Sequence, residues 1–102
     1  MISLFRLLPV AGGLPIEVVS QSVVLGRSRF GCDVRVDHHS VSRQHCELTW
    51  SEGILVVRDL GSRNGTRING RLVSDAPLRS GDELMIGSCR FVLELAESNS
   101  SR

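Results

Sequence analysis

The sequence predicts an all-β domain, on three observations. Short apolar segments recur along the chain. Gly, Pro, Asn, Asp or Ser stands between them. No segment of helical length keeps a 3.6-residue apolar period, and the three features together are the pattern of a sandwich or barrel.

Leu4 to Leu8 is a first strand, and Gly12-Gly13 with Pro15 marks the turn after it. Ile16 to Leu25, rich in Val, reads as one long second strand, and Asp33 to Val36 as a shorter third. From His45 to Trp50 the alternation is clean: Cys46, Leu48 and Trp50 face one side, Glu47 and Thr49 the other. Ser51-Glu52-Gly53 is a tight turn into Ile54 to Arg58. Gly61 to Gly65 is a loop. Thr66 to Ile68 and Leu72-Val73 flank Asn69-Gly70, a strong hairpin signal. Pro77 and Ser80-Gly81-Asp82 punctuate a further loop. Glu83 to Ile86 and Arg90 to Leu95, joined through Gly87-Ser88, close the sheet, with Phe91, Leu93 and Leu95 on one face. Residues 97–102 are polar and Ser-rich and cannot bury themselves. They read as a disordered tail or the start of a linker, leaving one domain over residues 1–96.

A chain of 102 residues suits one domain, which buries about two-thirds of its unfolded surface. The net charge of +1 argues against a nucleic-acid module that relies on a broad basic field. All twelve basic residues are Arg, which fits a G+C-rich genome and leans towards a bacterium. Three Cys residues, Cys32, Cys46 and Cys89, are an odd number without C-x-x-C spacing, so no disulfide framework or zinc site is implied. Free thiols fit a reducing cytoplasm. Arg6 interrupts the first apolar run and no basic stretch precedes it, so the amino end reads as strand and turn rather than signal peptide. No apolar run approaches membrane-spanning length.

Chemistry concentrates in Ser42-Arg43-Gln44-His45, at the mouth of the alternating strand. Arg offers a planar fork of donors that matches phosphate oxygens, and Ser adds a small neutral donor. Gly26-Arg27 and Gly61-Ser62-Arg63-Asn64-Gly65-Thr66 are two further loops of the same character. Loops at one end of a sandwich cluster, so the three can converge into one anion site. In isolation Arg27 is a solvated charge, Ser42 a turn residue, His45 a hydrogen-bonded structural group and Trp50 core packing. Asn64-Gly65 and Asn69-Gly70 in isolation are turn chemistry.

An enzyme reading would pair Ser42 with His45 and use Asp33 or Asp59 as orienter. It lacks a nucleophile elbow and a deep cleft. A metal reading would use His38, His39, His45 and Cys46. It lacks ligand spacing, and adjacent histidines point apart if the chain is extended. Neither an enzyme nor a metal or cofactor site is expected.

Gly26-Arg27, Ser42-Arg43-x-His45, Asp59-Leu60-Gly61-Ser62-Arg63-Asn64-Gly65-Thr66 and Asn69-Gly70, in that order and spacing, resemble the forkhead-associated (FHA) domain family from about Val23 to Leu95. The resemblance implies an FHA/SMAD-like β-sandwich of two mostly antiparallel sheets. It also implies about eleven strands, more than the segments above supply. Its apical loops would bind phosphothreonine in a partner protein. Arg27 and Ser42 match the phosphate contacts. Arg43 matches a further phosphate or peptide contact, and Asn64 the contact to the peptide backbone. Arg63 stands where many members carry Thr or Ser and is carried as a fifth contact, to phosphate or to an acidic neighbour. Gly26, His45, Gly65, Thr66 and Asn69 match supporting positions: close backbone packing at Gly26, loop bracing at His45, loop tying at Asn69.

The expectation is therefore a non-catalytic, monomeric, phosphothreonine-dependent interaction module of Ser/Thr kinase signalling in the cytoplasm. Its partner would be a phosphorylated protein or a phosphorylated segment of its own full-length chain. No nucleic acid or membrane partner is expected. The alternative is a phosphate-independent structural or oligomerisation module that uses a sheet face.

Overall fold

The computed structural model describes residues 4–95, so the polar tail expected over 97–102 lies outside the described residues. Eleven strands follow one another: β1 (Phe5–Pro9), β2 (Ile16–Val18), β3 (Ser22–Gly26), β4 (Val34–Arg35), β5 (Cys46–Ser51), β6 (Ile54–Asp59), β7 (Thr66–Ile68), β8 (Arg71–Val73), β9 (Asp75–Leu78), β10 (Glu83–Ile86) and β11 (Cys89–Leu95). One sheet has the order β2-β1-β11-β10-β7-β8, the other β4-β3-β5-β6-β9. All pairings are antiparallel except β3 with β4.

The period-2 pattern explains the sandwich. Phe5 and Leu7 on β1, Leu84 and Ile86 on β10, and Phe91 and Leu93 on β11 turn inward from the larger sheet. Val23 and Leu25 on β3, Cys46 and Leu48 on β5, and Leu55 and Val57 on β6 meet them from the smaller one. Each large apolar side chain buried this way contributes about 1.5–3 kcal/mol relative to an exposed position. The outward face carries charge, as in the ion pair between Arg6 of β1 and Glu94 of β11 across the strand boundary.

Two segments differ from the sequence expectation, and they supply the extra strands. The run from Ile16 to Leu25 is not one strand. Val18 is buried, Val19 to Ser22 are exposed, and Val23 and Leu25 are buried. The alternation thus slips by one residue while the chain crosses from the larger sheet into the smaller. No Gly or Pro marks the crossing. Asp75–Leu78, expected as loop because of Pro77, forms β9 against β6. Proline's missing N–H is tolerated there because β9 is an edge strand.

Both tight hairpins have the left-handed backbone that a two-residue turn requires. Glu52 and Gly53 have φ of 53° and 81°, Asn69 and Gly70 have 51° and 86°. The sheets leave four connections at one end of the sandwich: residues 27–33, 36–45, 60–65 and the turn at 87–88.

Candidate functional site

His45 stands at the centre of these connections and is fully buried. It is placed by β5, whose first residue follows it, and its N–H donates to Leu25 of β3 at 2.8 Å. Its Nδ1 accepts from the Ser42 N–H at 3.0 Å, so the ring is the tautomer with its proton on Nε2, which donates to the Gly65 carbonyl at 2.8 Å. One imidazole thus joins the loop before β5 to the loop before β7. Both ring nitrogens are committed to backbone groups, which leaves none to act as base for the Ser42 hydroxyl.

Gly26, the last residue of β3, lets two chain segments touch. A Cβ there would lie 2.0 Å from the Arg43 carbonyl oxygen and 2.7 Å from Cys32 Sγ. The contact sets Arg27 against the loop before β5. The Arg27 N–H donates to the Ser42 carbonyl at 2.9 Å, and its Nε donates to the Val41 carbonyl, also at 2.9 Å. The guanidinium is therefore aimed by its Nε, and its terminal nitrogens have no hydrogen-bond partner among the described residues. Arg43 and Arg63 are exposed, and none of the three arginines forms an ion pair among the described residues.

Ser42 Oγ accepts from the Arg63 N–H at 2.9 Å. Its own proton remains available to an incoming acceptor. Asn64 Nδ2 donates to the Ser40 carbonyl at 2.7 Å, leaving its side-chain oxygen and second N–H free for a ligand. The structure thus brings Arg27, Ser42, Arg43, Arg63 and Asn64 to one rim. Thr66 sits beneath it, fully buried, and Asn69 lies apart at the far end of β7. There Asn69 donates to Asp82 Oδ1 at 3.0 Å and accepts from the Glu83 N–H at 2.9 Å, tying the β7–β8 turn to the β9–β10 loop.

Asp59 organises the loop that carries Arg63 and Asn64. Its Oδ2 accepts from the Gly61 and Ser62 N–H groups, each at 3.0 Å. Its Oδ1 accepts from Ser62 Oγ at 2.5 Å and from Thr66 Oγ1 at 2.7 Å. Ser62 Oγ in turn accepts from the Gly65 N–H at 3.0 Å. Burial pushes the Asp59 carboxyl up, but the hydrogen bonds from Ser62, Thr66 and Gly61 outweigh it and hold the group below its ordinary value of 3.8. A lowered folded value means the stabilisation is complete above pH 3.8 and is lost as pH falls through the folded value. In Asp59→Asn an NH2 group faces backbone donors. The variant is expected to be less stable at neutral pH, with the deficit shrinking below pH 3.8. Denaturant melts across pH check this; a deficit that stayed constant into acid would refute it.

A junction that sequence reasoning missed lies beside Asn64. Ser40 Oγ accepts from the Ser88 N–H at 2.9 Å and sits 3.0 Å from Ser88 Oγ. Gly87, with φ of 58°, approaches so closely that a Cβ would lie 2.4 Å from the Ser40 carbonyl oxygen. The turn between β10 and β11 therefore joins the rim; its Gly-Ser pair was the available signal. His38 Nδ1 accepts from the Ser40 N–H at 3.1 Å. The chain turns at His39-Ser40 instead of extending, so the rings of His38 and His39 stack, with centroids 4.4 Å apart, rather than diverge. The Cys46 thiol is pushed up to about 12 by burial and the nearby Asp59 charge, which makes it core packing rather than a nucleophile. All three cysteines are unpaired.

Comparison with known proteins gives a consistent result. The FHA domain family model matches residues 23–87. The glycogen accumulation regulator GarA of Mycolicibacterium smegmatis is 43% identical over 60 residues, which cover 59% of this chain and 38% of that protein. An oxoglutarate dehydrogenase inhibitor of Corynebacterium efficiens is 42% identical over 60 residues, covering 59% of this chain and 42% of its own. The match thus spans less than half the length of either relative. Among solved structures, an FHA domain studied for phosphothreonine-dependent interactions superposes with a TM-score of 0.82 at 27% identity, over 89% of this chain and 95% of that one. The FhaA FHA domain, complexed with the intracellular domain of a second protein, gives 0.79 at 26% identity, over 88% and 99%. With the family model matching residues 23–87, which span the rim from Arg27 to Gly87, the chain belongs to the FHA domain family.

Proposed function

We propose that this domain is a non-catalytic module that docks proteins carrying a phosphothreonine. One observation supports it above the others: Arg27, Arg43 and Arg63, unpaired among the described residues, share a rim with the Ser42 hydroxyl and the Asn64 amide. A phosphothreonine carries roughly −1.5 to −2 charges near neutrality and three strong acceptor oxygens. Arg27 and Arg43 supply charge-assisted bonds, Ser42 a short neutral donor, and Arg63 either a further phosphate contact or a contact to an acidic neighbour. Asn64 both donates and accepts, which suits the backbone of an extended peptide. Gly26, His45, Gly65 and Thr66 keep the loops in register, and Asn69 steadies the sheet that carries them. The threonine methyl adds about 1–3 kcal/mol of preference over serine where an apolar niche receives it.

The relatives named as a regulator and an inhibitor fit a domain that acts by attaching to other proteins, here as a cytoplasmic monomer. The partner is a substrate of a Ser/Thr kinase, or a phosphorylated segment of the same full-length chain. Titration with one peptide in phosphothreonine, phosphoserine and unphosphorylated forms tests the proposal. The expected order is phosphothreonine tightest and the unphosphorylated peptide unbound. Equal binding of all three would shift the function to a phosphate-independent contact through a sheet face.

A further inference from the structure

A sandwich has sides as well as faces. β8 and β9 are the end strands of their two sheets, joined through Ser74, and the inner faces of the sheets meet along them. Cross-strand partners share a face. Arg71 and Val73 therefore take the inner face of β8, beside the buried Ile68 and Thr66. Ala76 takes the inner face of β9, beside the buried Val57.

Two of these residues do not close the side: Ala76 is small and Arg71 is charged. A cleft of about 330 Å³ is left, with Ile68, Val73, Ala76 and Pro77 as its apolar lining. Arg71 and Arg79 border it, both exposed, and neither forms an ion pair among the described residues. The carboxylate in the cleft, Asp82, is committed to its own frame. Its Oδ1 accepts from Asn69 Nδ2 at 3.0 Å and its Oδ2 from the Arg79 N–H at 2.8 Å. Two guanidinium groups against one carboxylate leave the cleft net positive.

An inward-pointing charge on an edge strand discourages edge-to-edge pairing. That accounts for Arg71. It accounts neither for the second arginine, from the connection between β9 and β10, nor for the alanine that opens the space. Pro77 has no N–H to offer an added strand, so an occupant of the cleft enters by a side chain. The cleft is open rather than enclosed, which suits a side chain presented by a protein and not a lipid tail, which needs burial on most of its surface. The positive border selects acidic neighbours for that side chain.

We propose that this cleft is a second docking site, for an unphosphorylated acidic segment of a partner protein. One bulky apolar side chain (Leu, Ile or Met) enters between β8 and β9, and Asp or Glu residues beside it pair with Arg71 and Arg79. The site sits at the end of β7 remote from the rim, so the cleft and the rim can be filled at the same time.

The test titrates the end-blocked peptide Ser-Glu-Asp-Leu-Glu-Asp-Ser into the isotope-labelled domain at low salt, followed by NMR. Two control peptides replace its Leu by Ser or all its acidic residues by Lys. The expected result is saturable amide shifts over residues 68–79, unchanged when the rim is blocked by a phosphothreonine peptide. Either control peptide should bind about tenfold more weakly or worse. Arg71→Glu combined with Arg79→Glu should cost about tenfold as well. Ala76→Leu fills the cleft and should abolish binding with no fall in melting temperature. All variants should bind the phosphothreonine peptide as the wild type does. No saturable shift in the wild type, shifts centred on Ser42 and Asn64 instead, or equal binding of the Lys peptide overturns the site. So does full affinity in the double arginine variant, a readout that stands even if Ala76→Leu fails to fold. Dodecanoate binding more tightly than the peptide would replace the protein partner with a lipid and overturn the proposal.

Discussion

Arg27→Ala is expected to weaken phosphothreonine-peptide binding by about a hundredfold or more. Hydrogen bonds to charged groups are worth about 1.5–3 kcal/mol each, and the Arg27 fork can supply two to a phosphate. The Nε bond to the Val41 carbonyl makes the loss larger than that of a free surface arginine, because the side chain is aimed before the ligand arrives. The same bond is a small stability term, about 1 kcal/mol, so the variant should remain folded and melt only a few degrees lower. Arg27→Lys separates charge from geometry: it keeps the charge, loses the fork, and should fall between the wild type and Ala. Calorimetric titration of the three proteins with one peptide checks the series. Affinity of Arg27→Ala within about threefold of the wild type, in a protein that still melts cooperatively, would remove Arg27 from the site.

His45→Ala is expected to act in the opposite way, on stability first. The substitution removes a fully buried ring and strands the Ser42 N–H and the Gly65 carbonyl together. An unsatisfied buried group costs about 1–3 kcal/mol, and the vacated volume adds a cavity term. A loss of about 3–5 kcal/mol follows, which for a domain of this size lowers the melting temperature by roughly 15 °C or more. Binding should weaken as well, since Ser42 and the Arg63–Asn64 loop lose their common brace. A melting temperature within about 2 °C of the wild type would show that the two loops are held by other contacts.

Polar loop chemistry was the most legible part of the chain. Gly26-Arg27, Ser42 to His45 and Asp59 to Thr66 carry residue types whose bonding rules are local, and the structure assembles them at one rim. Contacts that depend on three-dimensional neighbours left weaker traces. Ser40, Gly87 and Ser88 are ordinary turn residues until the sheet order brings β10 and β11 beside the loop before β5. The crossing between β2 and β3 is hidden in a Val-rich run, because propensity is uniform across it and only the slip in burial phase records the change of sheet. β9 was obscured by Pro77, since whether a proline can stand in a strand depends on that strand being an edge.

The pairing of β1 with β11 has a practical consequence. Phe5 lies opposite Leu95, while Pro9 and Phe91, at the other end of the pair, lie near the Gly87–Ser88 turn and the rim. The seven residues of β11 span roughly 20 Å between those ends. Whatever is joined before Phe5 or after Leu95 therefore leaves from the base of the sandwich, with both points of attachment side by side. A linker, dye or sensor surface coupled at either point would present every molecule in one orientation, rim outward. Immobilised capture of phosphorylated proteins should then proceed without the support blocking the ligand.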